Sequence, residues 1–545
     1  MSEGPEAHRP ASVSSSGSRM LRGAVAGVIA GAAGIAVSEL VAGVVPGAPS
    51  LVVAVGSLVI ALQPPGAKDV MATLFGTNDK TVLYAAVVLA ALLVAAVAGI
   101  LGRSSFDRGS RLFLAFGFVA FVAAAVQPLG SPAIAAVNAA IAMSVAIAAL
   151  RILLADAGFM APVGFGRAAS SQVGGTPALA DSSRTVPMPD WDRRRFLVRS
   201  VTFLVGALAL GTLGRWLVDR GHPGSAPASA NLPAPSQTVP PLTVDESLAA
   251  PGITPIVIPN DAFYRIDTEL LVPQVDASGW QLQVTGMVDH PLTFTYSQLL
   301  AMPLFEQYVT LACVSNTVGG PLVGNTLWTG VHLKEVLAAA GVQSGATQIV
   351  GRSVDGFTVG FPTAWALDPS REPMIAVGMN RAPLPAEHGY PARLIVPGLY
   401  GYVSATKWLS EIELTTIEAF DAYWIKLGWA KDGPILTESR IDHPADGATL
   451  AAGLVDIDGL AWAPDRGVAR VEVSIDDGPW QATLLSRAIS KATWVQWWLR
   501  WQATPGKHTI QVRATDGTGA VQTAVVGGPA PAGATGYDSV QVSVT

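Results

Sequence analysis

The first 220 residues consist of long apolar runs, rich in Ala, Val, Leu and Gly, that are separated by shorter polar segments. A helix needs about 20 apolar residues to cross the hydrocarbon core of a bilayer. Five runs approach or exceed that length, and we interpret them as transmembrane helices: Leu21–Val44, Val82–Leu101, Leu112–Val126, Pro132–Leu154 and Phe196–Leu217. A further run, Leu51–Leu62, is too short to span and is followed by Gln63-Pro64-Pro65-Gly66, which predicts a re-entrant or interfacial segment over 51–62.

The arginines between these runs predict the orientation of the chain, because cytoplasmic loops are enriched in Lys and Arg. Placing all of them inside puts the N-terminus in the cytoplasm and everything after about Asp219 outside it. If segment 51–62 crossed the membrane, the N-terminus would lie outside instead. The arginines concerned are Arg19, Arg22, Arg103, Arg108, Arg111 and Arg151.

The start of the last apolar run reads Arg193-Arg194-Arg195-Phe196-Leu197-Val198, and this motif at 193–198 is similar to a twin-arginine export signal. Such a signal implies export of a domain that has already folded in the cytoplasm. The alternative is that the three arginines only follow the positive-inside rule.

After the apolar region the composition changes to that of a soluble protein. Residues 221–250 are rich in Pro, Ala and Ser and predict an extended linker between a membrane domain, 1–220, and the rest. Mixed strand and helix patterns such as Trp280–Val284 and Leu333–Ala340 predict an α+β domain over 251–425. Short strands with frequent turn signals predict a small β-sandwich over 430–545.

Charge and cysteine content exclude several functional classes. The net charge is -6 and no long basic run occurs, which argues against a nucleic-acid partner. A single cysteine, Cys313, excludes intrachain disulfides, CxxC zinc sites and protein-ligated iron–sulfur clusters. Because no histidine occurs between His8 and His222, a bis-histidine haem within the apolar region is excluded as well.

Three clusters in the soluble part resemble motifs of the sulfite oxidase family of molybdopterin-dependent oxidoreductases, in a membrane-anchored bacterial form. Thr310-Leu311-Ala312-Cys313-Val314-Ser315-Asn316 resembles the cysteine loop of that family. Asn260-Asp261-Ala262-Phe263-Tyr264-Arg265 resembles its entry motif. The segment from His388-Gly389-Tyr390-Pro391-Ala392-Arg393 to Lys407-Trp408-Leu409 resembles its pterin-phosphate segment.

The resemblance extends from about Thr254 to the C-terminus and implies a molybdopterin-binding domain followed by an immunoglobulin-like dimerisation domain. It implies a molybdenum–molybdopterin cofactor with Cys313 as the metal ligand and catalytic residue. A cysteine thiolate is a soft donor suited to a metal that changes oxidation state. The competing interpretation of a lone cysteine is a small buried hydrophobic residue.

The same resemblance assigns the remaining contacts with the cofactor. Arg393 and Lys407 suit a phosphate, as a fork donor and a point charge. We expect His388 to donate a hydrogen bond and Ser404 to add a hydroxyl group. Asp355 resembles a carboxylate that meets the pterin ring, although Asp355-Gly356 also fits a simple turn. The residues expected on the other side of the cofactor are Asn260, Tyr264 and Arg265.

The chain departs from the family where sulfite oxidases surround their substrate with arginines. Cys313 is followed by Val-Ser-Asn-Thr-Val, and the next arginine is Arg352. Only Arg265 could serve near the entry motif, and its register is shifted. Since a dianion needs such cations, the sequence argues against sulfite as the substrate. The methionine sulfoxide reductase branch of the family also lacks the arginines, which makes an S- or N-oxide a candidate.

The leading hypothesis is an extracytoplasmic oxidoreductase, held in the cell membrane by several spans, that performs two-electron oxygen-atom transfer on a small molecule. No haem, flavin or iron–sulfur motif occurs, so a separate electron partner is expected, either a cytochrome or a quinone-linked protein. The resemblance also implies a homodimer through the sandwich. The alternative hypothesis is a non-enzymatic surface binding protein that retains the fold without the cofactor.

Overall fold

The computed structural model describes residues 15–45, 47–62, 79–128, 130–160, 193–220, 232–250 and 252–545. The chain divides into two compact units, Met1–His222 and Pro223–Thr545. The Gln63–Gly66 exit, Asp192 and the first part of the predicted linker, 221–231, lie outside the described residues.

The described part of the first unit is helical, as the apolar runs predict. Five of its helices are long and apolar enough to cross a membrane, and the sixth, over 51–62, is the short one. The helices are α1 (Ser15–Val44), α2 (Leu51–Leu62), α3 (Asp79–Gly102), α4 (Phe106–Ala125), α5 (Pro132–Asp156) and α6 (Arg193–Arg220).

Small residues allow these helices to pack closely. A Cβ atom added at Gly27 of α1 would lie 2.0 Å from the carbonyl oxygen of Ala95 in α3, so the two backbones meet directly there. Close approach of this kind favours van der Waals packing between helices in an apolar environment. Leu150, Leu153 and Leu154 of α5 are fully buried in the apolar cluster that also contains Ala95.

The first part of the second unit is a mixture of strands and short helices, in agreement with the α+β prediction. One sheet has the strand order β2-β1-β10-β5-β6, and the other has the order β3-β4-β7-β8 with β9 paired to β7. Its strands are β1 (Gln281–Gly286), β2 (Leu292–Thr295), β3 (Leu304–Ala312), β4 (Val323–His332), β5 (Gln348–Ser353), β6 (Thr358–Pro362), β7 (Met374–Met379), β8 (Ala382–Pro383), β9 (Arg393–Ile395) and β10 (Leu409–Thr415). Its helices are α7 (Tyr296–Leu300), α8 (Leu333–Ala340), α9 (Thr363–Leu367) and α10 (Gly401–Ser404).

The last part of the unit contains two further sheets, which we call the C-terminal sheet pair. Their strand orders are β11-β13-β17-β16 and β12-β19-β18-β14-β15. Both sheets contribute to one apolar core that includes Ile457, Trp497 and Val512. The strands are β11 (Glu438–His443), β12 (Thr449–Leu450), β13 (Gly453–Trp462), β14 (Val468–Ile475), β15 (Gln481–Ala482), β16 (Leu484–Leu485), β17 (Val495–Ala503), β18 (Gly506–Asp516) and β19 (Asp538–Val544).

The described part of the predicted linker, 232–250, is extended but is fastened to β3. The Ser236 amide donates to the Leu304 carbonyl (2.8 Å), and the Val239 amide donates to Glu306 Oε2 (3.1 Å). These bonds satisfy backbone groups at the exposed edge of the sheet, which would otherwise remain open to another chain. This stretch therefore belongs to the second unit instead of being a free tether.

Candidate functional site

Cys313 directly follows β3, in the loop that connects β3 to β4. Both strands are almost completely buried, and their pairing continues to Ala312 and Val323. The loop is closed by hydrogen bonds from the Cys313 amide to the Leu322 carbonyl (2.9 Å) and from the Leu322 amide to Asn316 Oδ1 (2.8 Å). The half-buried Cys313 therefore lies in a hydrogen-bonded loop at the end of a buried hairpin.

An aromatic cluster from the entry motif lies beside this cysteine. The rings of Phe263 and Tyr264 are stacked with centroids 5.1 Å apart, and Phe263 meets the rings of Trp328 and His388 edge-on, at 5.8 and 5.7 Å. Burial raises the pKa of Tyr264 well above its usual range, the nearby Cys313 raises it further, and Arg393 opposes this. The Tyr264 phenol is therefore neutral and lies within electrostatic reach of the predicted metal ligand and of the predicted phosphate ligand.

Arg393, in β9, is a buried cation with an unmade hydrogen bond. Arg393 is only 4% exposed. Its Nη1 donates to the His388 carbonyl (3.1 Å), and its guanidinium lies 4.9 Å from the Trp328 ring centroid. Its Nε has no hydrogen-bond partner among the described residues. Burial lowers the pKa of Arg393 to about 10, so it remains charged at neutral pH. A buried donor of this kind is costly unless a ligand anion completes it.

Gly389 lies in contact with both Lys407 and Arg393. A Cβ atom at Gly389, where φ is +110°, would lie 3.0 Å from Lys407 Cα and 3.2 Å from Arg393 Cβ, so only glycine allows these segments to approach in this way. Lys407 Nζ donates to the Glu387 carbonyl (2.9 Å) and forms an ion pair with Asp267 Oδ2 (3.1 Å).

Asp267 is the residue of this site that sequence reasoning missed. Its side chain is 4% exposed, and the same Oδ2 atom that binds Lys407 lies 3.1 Å from Nε of Arg265. Arg265 is thus directed toward a carboxylate, whereas the sequence predicts that it faces the cofactor. The only available signal is the spacing of Arg265 and Asp267 by two residues, which places both side chains on the same side of an extended segment.

His388 is fixed by its backbone partner and is neutral. Its Nε2 lies 2.8 Å from the Asn260 carbonyl, which can only accept, so Nε2 carries the proton. Burial, reinforced by the charges of Arg393, Lys407 and Arg265, lowers the pKa of His388 to about 4. The buried Nδ1 has no partner among the described residues and acts as an acceptor. In its neutral form His388 can therefore accept a hydrogen bond from a ligand at Nδ1, whereas we expected it to donate.

Two other predicted residues, Asn260 and Ser404, play local structural roles. The Asn260 side chain donates to the Met379 carbonyl (3.3 Å) and accepts from Asn380 Nδ2 (2.8 Å), so its amide secures the turn after β7 while its carbonyl orients His388. Ser404 is fully buried and its hydroxyl donates to the Tyr400 carbonyl (2.9 Å). We expected this hydroxyl to bind the phosphate, whereas here it donates within its own helical turn.

Asp355 forms the turn that was the alternative to a pterin contact. Its Oδ1 accepts from the Phe357 amide (2.9 Å), and Gly356 has a φ of +88°. Burial raises the pKa of Asp355, and the charge of Asp267 raises it further, so this carboxyl also borders the cluster formed by Arg265, Asp267 and Lys407.

The pKa of His388 predicts a pH dependence of stability. Because the pKa of His388 in the folded protein, about 4, lies below the ordinary histidine value of 6.5, the unfolded chain takes up the proton first as pH falls. The contribution of His388 to the free energy of unfolding is fully present above pH 6.5. On the order of 3 kcal/mol of it is lost as the pH falls from 6.5 to about 4. The midpoint of heat unfolding, measured across this range, should fall less steeply in H388Q than in the wild type.

His508 provides a control of opposite sign for this experiment. Its hydrogen bond with Asp476 raises its pKa, so its stabilising effect is present at low pH and is lost as pH rises through its folded value. H508Q should therefore steepen the acid-side loss rather than flatten it. Equal slopes in H388Q and the wild type would contradict the assignment of a neutral His388.

The buried polar atoms around Cys313 fit an anionic cofactor. Arg393 offers an unpaired Nε donor, His388 offers an unpaired Nδ1 acceptor, and Lys407 lies next to both. A thiol, two cations and a neutral imidazole are the groups that could hold a cofactor combining a soft metal with a phosphate tail.

Comparison with known proteins agrees with such a cofactor. Residues 269–424 match the oxidoreductase molybdopterin binding domain. The chain is 30% identical over 288 residues to mitochondrial sulfite oxidase of Homo sapiens, covering 45% of this chain and 52% of the relative. It is 28% identical over 272 residues to nitrate reductase (NADH) 1 of Oryza sativa subsp. japonica, covering 40% of this chain and 30% of the relative. The chain thus spans about half the length of the sulfite oxidases that it matches.

Among solved structures, the sulfane dehydrogenase SoxCD from Paracoccus pantotrophus is similar, with a TM-score of 0.44 and 24% identity, covering 49% of this chain and 74% of that one. Residues 269–424 are therefore a molybdopterin-binding oxidoreductase domain similar to those of sulfite oxidases and nitrate reductases. The relatives imply a molybdenum–pterin cofactor for this domain.

Proposed function

We propose that this protein is a membrane-anchored, extracytoplasmic molybdenum-cofactor oxidoreductase that transfers an oxygen atom to or from a small substrate other than sulfite. The observation that carries the proposal is that Cys313 and the buried, incompletely bonded Arg393 both lie within electrostatic range of Tyr264. A buried cation with an unmade bond is a cost that a bound anion removes.

The residues divide the work of holding the cofactor. Cys313 supplies a thiolate to the metal, Arg393 and Lys407 bind the phosphate, and His388 accepts a hydrogen bond at Nδ1. Tyr264 covers the site as a neutral phenol. Asp267 holds Lys407 and Arg265 in place, at a distance of 3.1 Å from each. The chemistry that the bound group supplies is a two-electron redox change coupled to movement of one oxygen atom.

The cations near the site favour a neutral substrate. Arg265 is paired with Asp267, and the five residues that follow Cys313 include no basic side chain. The cysteine loop therefore does not supply the arginines that a dianion would need. An S-oxide or N-oxide fits better: it takes up two electrons and two protons and is released as the reduced compound and water.

We assign the domains as 1–220 for the membrane region, 221–250 for the linker, 251–425 for the cofactor domain and 430–545 for an immunoglobulin-like domain that mediates dimerisation. Helices α1, α3, α4, α5 and α6 span the membrane, with the 193–198 motif directing export of the folded cofactor domain. Electrons pass to or from a separate cytochrome or quinone-linked protein.

Protease added to intact spheroplasts should remove the C-terminal domains, and protection of those domains would contradict this orientation.

A substrate survey tests the proposed activity. The purified protein, loaded with cofactor, is mixed with a reduced viologen and with a panel of sulfoxides and N-oxides, and separately with sulfite and an artificial electron acceptor. We expect viologen oxidation with at least one oxide and no turnover of sulfite. Rapid sulfite oxidation without any oxide reduction would contradict the proposed substrate class.

A further inference from the structure

One face of β11, in the C-terminal sheet pair, is directed at the cofactor domain. Alternate residues of a strand point to the same side, and Glu438, Arg440 and Asp442 follow this spacing. Tyr400 Oη lies 3.5 Å from Glu438 Oε1, and Asp442 Oδ2 accepts from the Thr254 amide (3.1 Å). The middle residue of the three, Arg440, reaches the loop that carries Cys313.

Arg440 connects three segments through its guanidinium group. Nη1 donates to the carbonyl of Gly320 in the cysteine loop (3.1 Å), Nη2 donates to Thr254 Oγ1 (3.0 Å), and Nε donates to Asp442 Oδ1 (2.6 Å). Its side chain is only 11% exposed. Charge-assisted bonds in such a shielded position are stronger than neutral surface bonds. The far side of the cysteine loop is therefore held from outside the cofactor domain.

A second contact confirms that the loop rests directly on the sheet pair. Gly319 has a φ of +72°, and a Cβ atom there would lie 2.4 Å from Asp538 Oδ1 in β19. Asp538 Oδ2 in turn accepts from the Ile441 amide of β11 (2.8 Å). No side chain could be inserted between loop and sheet without moving one of them.

We propose that Arg440 is a positioning residue for Cys313, and that the C-terminal sheet pair acts through it to fix the metal-ligand loop. This inference rests on the proposed function only in naming Cys313 as the metal ligand. The restraint on the loop is a property of the protein without cofactor. It can therefore be measured even if the proposed activity is wrong.

The chain offers a direct readout, because Cys313 is its only cysteine. The full-length protein is purified from a host that cannot make molybdopterin, and the rate of reaction of its thiol with Ellman's reagent is followed. In R440M the loop loses a charge-assisted bond, so we expect the rate to rise by about 10-fold. R440K keeps a donor for Gly320 and should restore part of the protection.

The matched control is R500M in the same sheet pair. Arg500 is 53% exposed and pairs with Asp456 at 3.0 Å, remote in sequence from both the loop and Thr254. Its replacement should leave the thiol rate unchanged. If R440M does not fold, T254V removes one hydrogen-bond acceptor of Arg440 and keeps the arginine itself. It should raise the rate of the thiol reaction by about 3-fold.

The outcomes are distinguishable. A faster thiol reaction in R440M or T254V, with heat unfolding like that of R500M, supports the positioning role. A rate in R440M within about twofold of that in R500M would overturn it, whether or not the wild type binds molybdenum. In cofactor-loaded protein, R440M should also shift the EPR spectrum of the bound metal, and R500M should not.

Discussion

Replacement of Cys313 by serine is expected to abolish oxygen-atom transfer, with a loss of at least about 10³-fold in turnover. Serine has nearly the same shape, and the loop is closed by backbone bonds and Asn316, so the fold should be retained. A hydroxyl does not ionise at neutral pH and offers a hard oxygen in place of a soft sulfur. Turnover per chain, measured with a reduced viologen, gives the result.

Ser315 provides the matched control for this substitution. It lies two residues further along the same loop, so S315A removes a small polar group from the same neighbourhood. S315A should keep most of the activity. If C313S retained turnover within tenfold of the wild type, Cys313 could not be the catalytic metal ligand. If wild type and C313S were both inactive and free of cofactor, the binding-protein alternative would gain support.

Replacement of Arg393 by methionine is expected to have opposite effects on cofactor retention and on the stability of the empty protein. Loss of a buried charged partner for the phosphate should weaken cofactor affinity by on the order of 100-fold. The cofactor-free variant should unfold at the same temperature as the wild type or higher, because a buried cation with an unpartnered Nε is removed. Pterin content and heat unfolding report the two effects separately.

R352M is the control for this pair of measurements. Arg352 lies on β5, is 31% exposed and is paired with Glu411 and Glu413. Its loss should leave the pterin content unchanged. A large drop in the stability of cofactor-free R393M, with normal retention of pterin, would show that Arg393 is a structural residue and would remove it from the phosphate site.

Much of the fold could be predicted because the relevant signals are local. The length of an apolar run predicts a helix long enough to span, and all five such runs form helices. The motifs around Cys313 and His388–Arg393 predict one cofactor site, and the structure brings His388, Arg393 and Lys407 together through the glycine at 389. In these cases the information lies within a few residues along the chain.

Other features depend on contacts between distant residues. Asp267 binds Lys407 across 140 positions, and Arg440 reaches Gly320 across 120. No local pattern reveals such pairs. The hydrogen-bond partners of Ser404 and His388 could not be predicted for a related reason: the atom available to a ligand depends on which backbone carbonyl has already accepted the other bond. The fastening of residues 232–250 to β3 is likewise a tertiary contact that composition alone does not reveal.

The central claim is that this chain binds a molybdenum–pterin group through Cys313. The most direct test is to purify the full-length protein from a host that makes the cofactor and to determine molybdenum by mass spectrometry and pterin by fluorescence after oxidation. We predict about one molybdenum and one pterin per folded wild-type chain, with molybdenum lost in C313S. A folded wild-type protein that contains neither molybdenum nor pterin would contradict the claim.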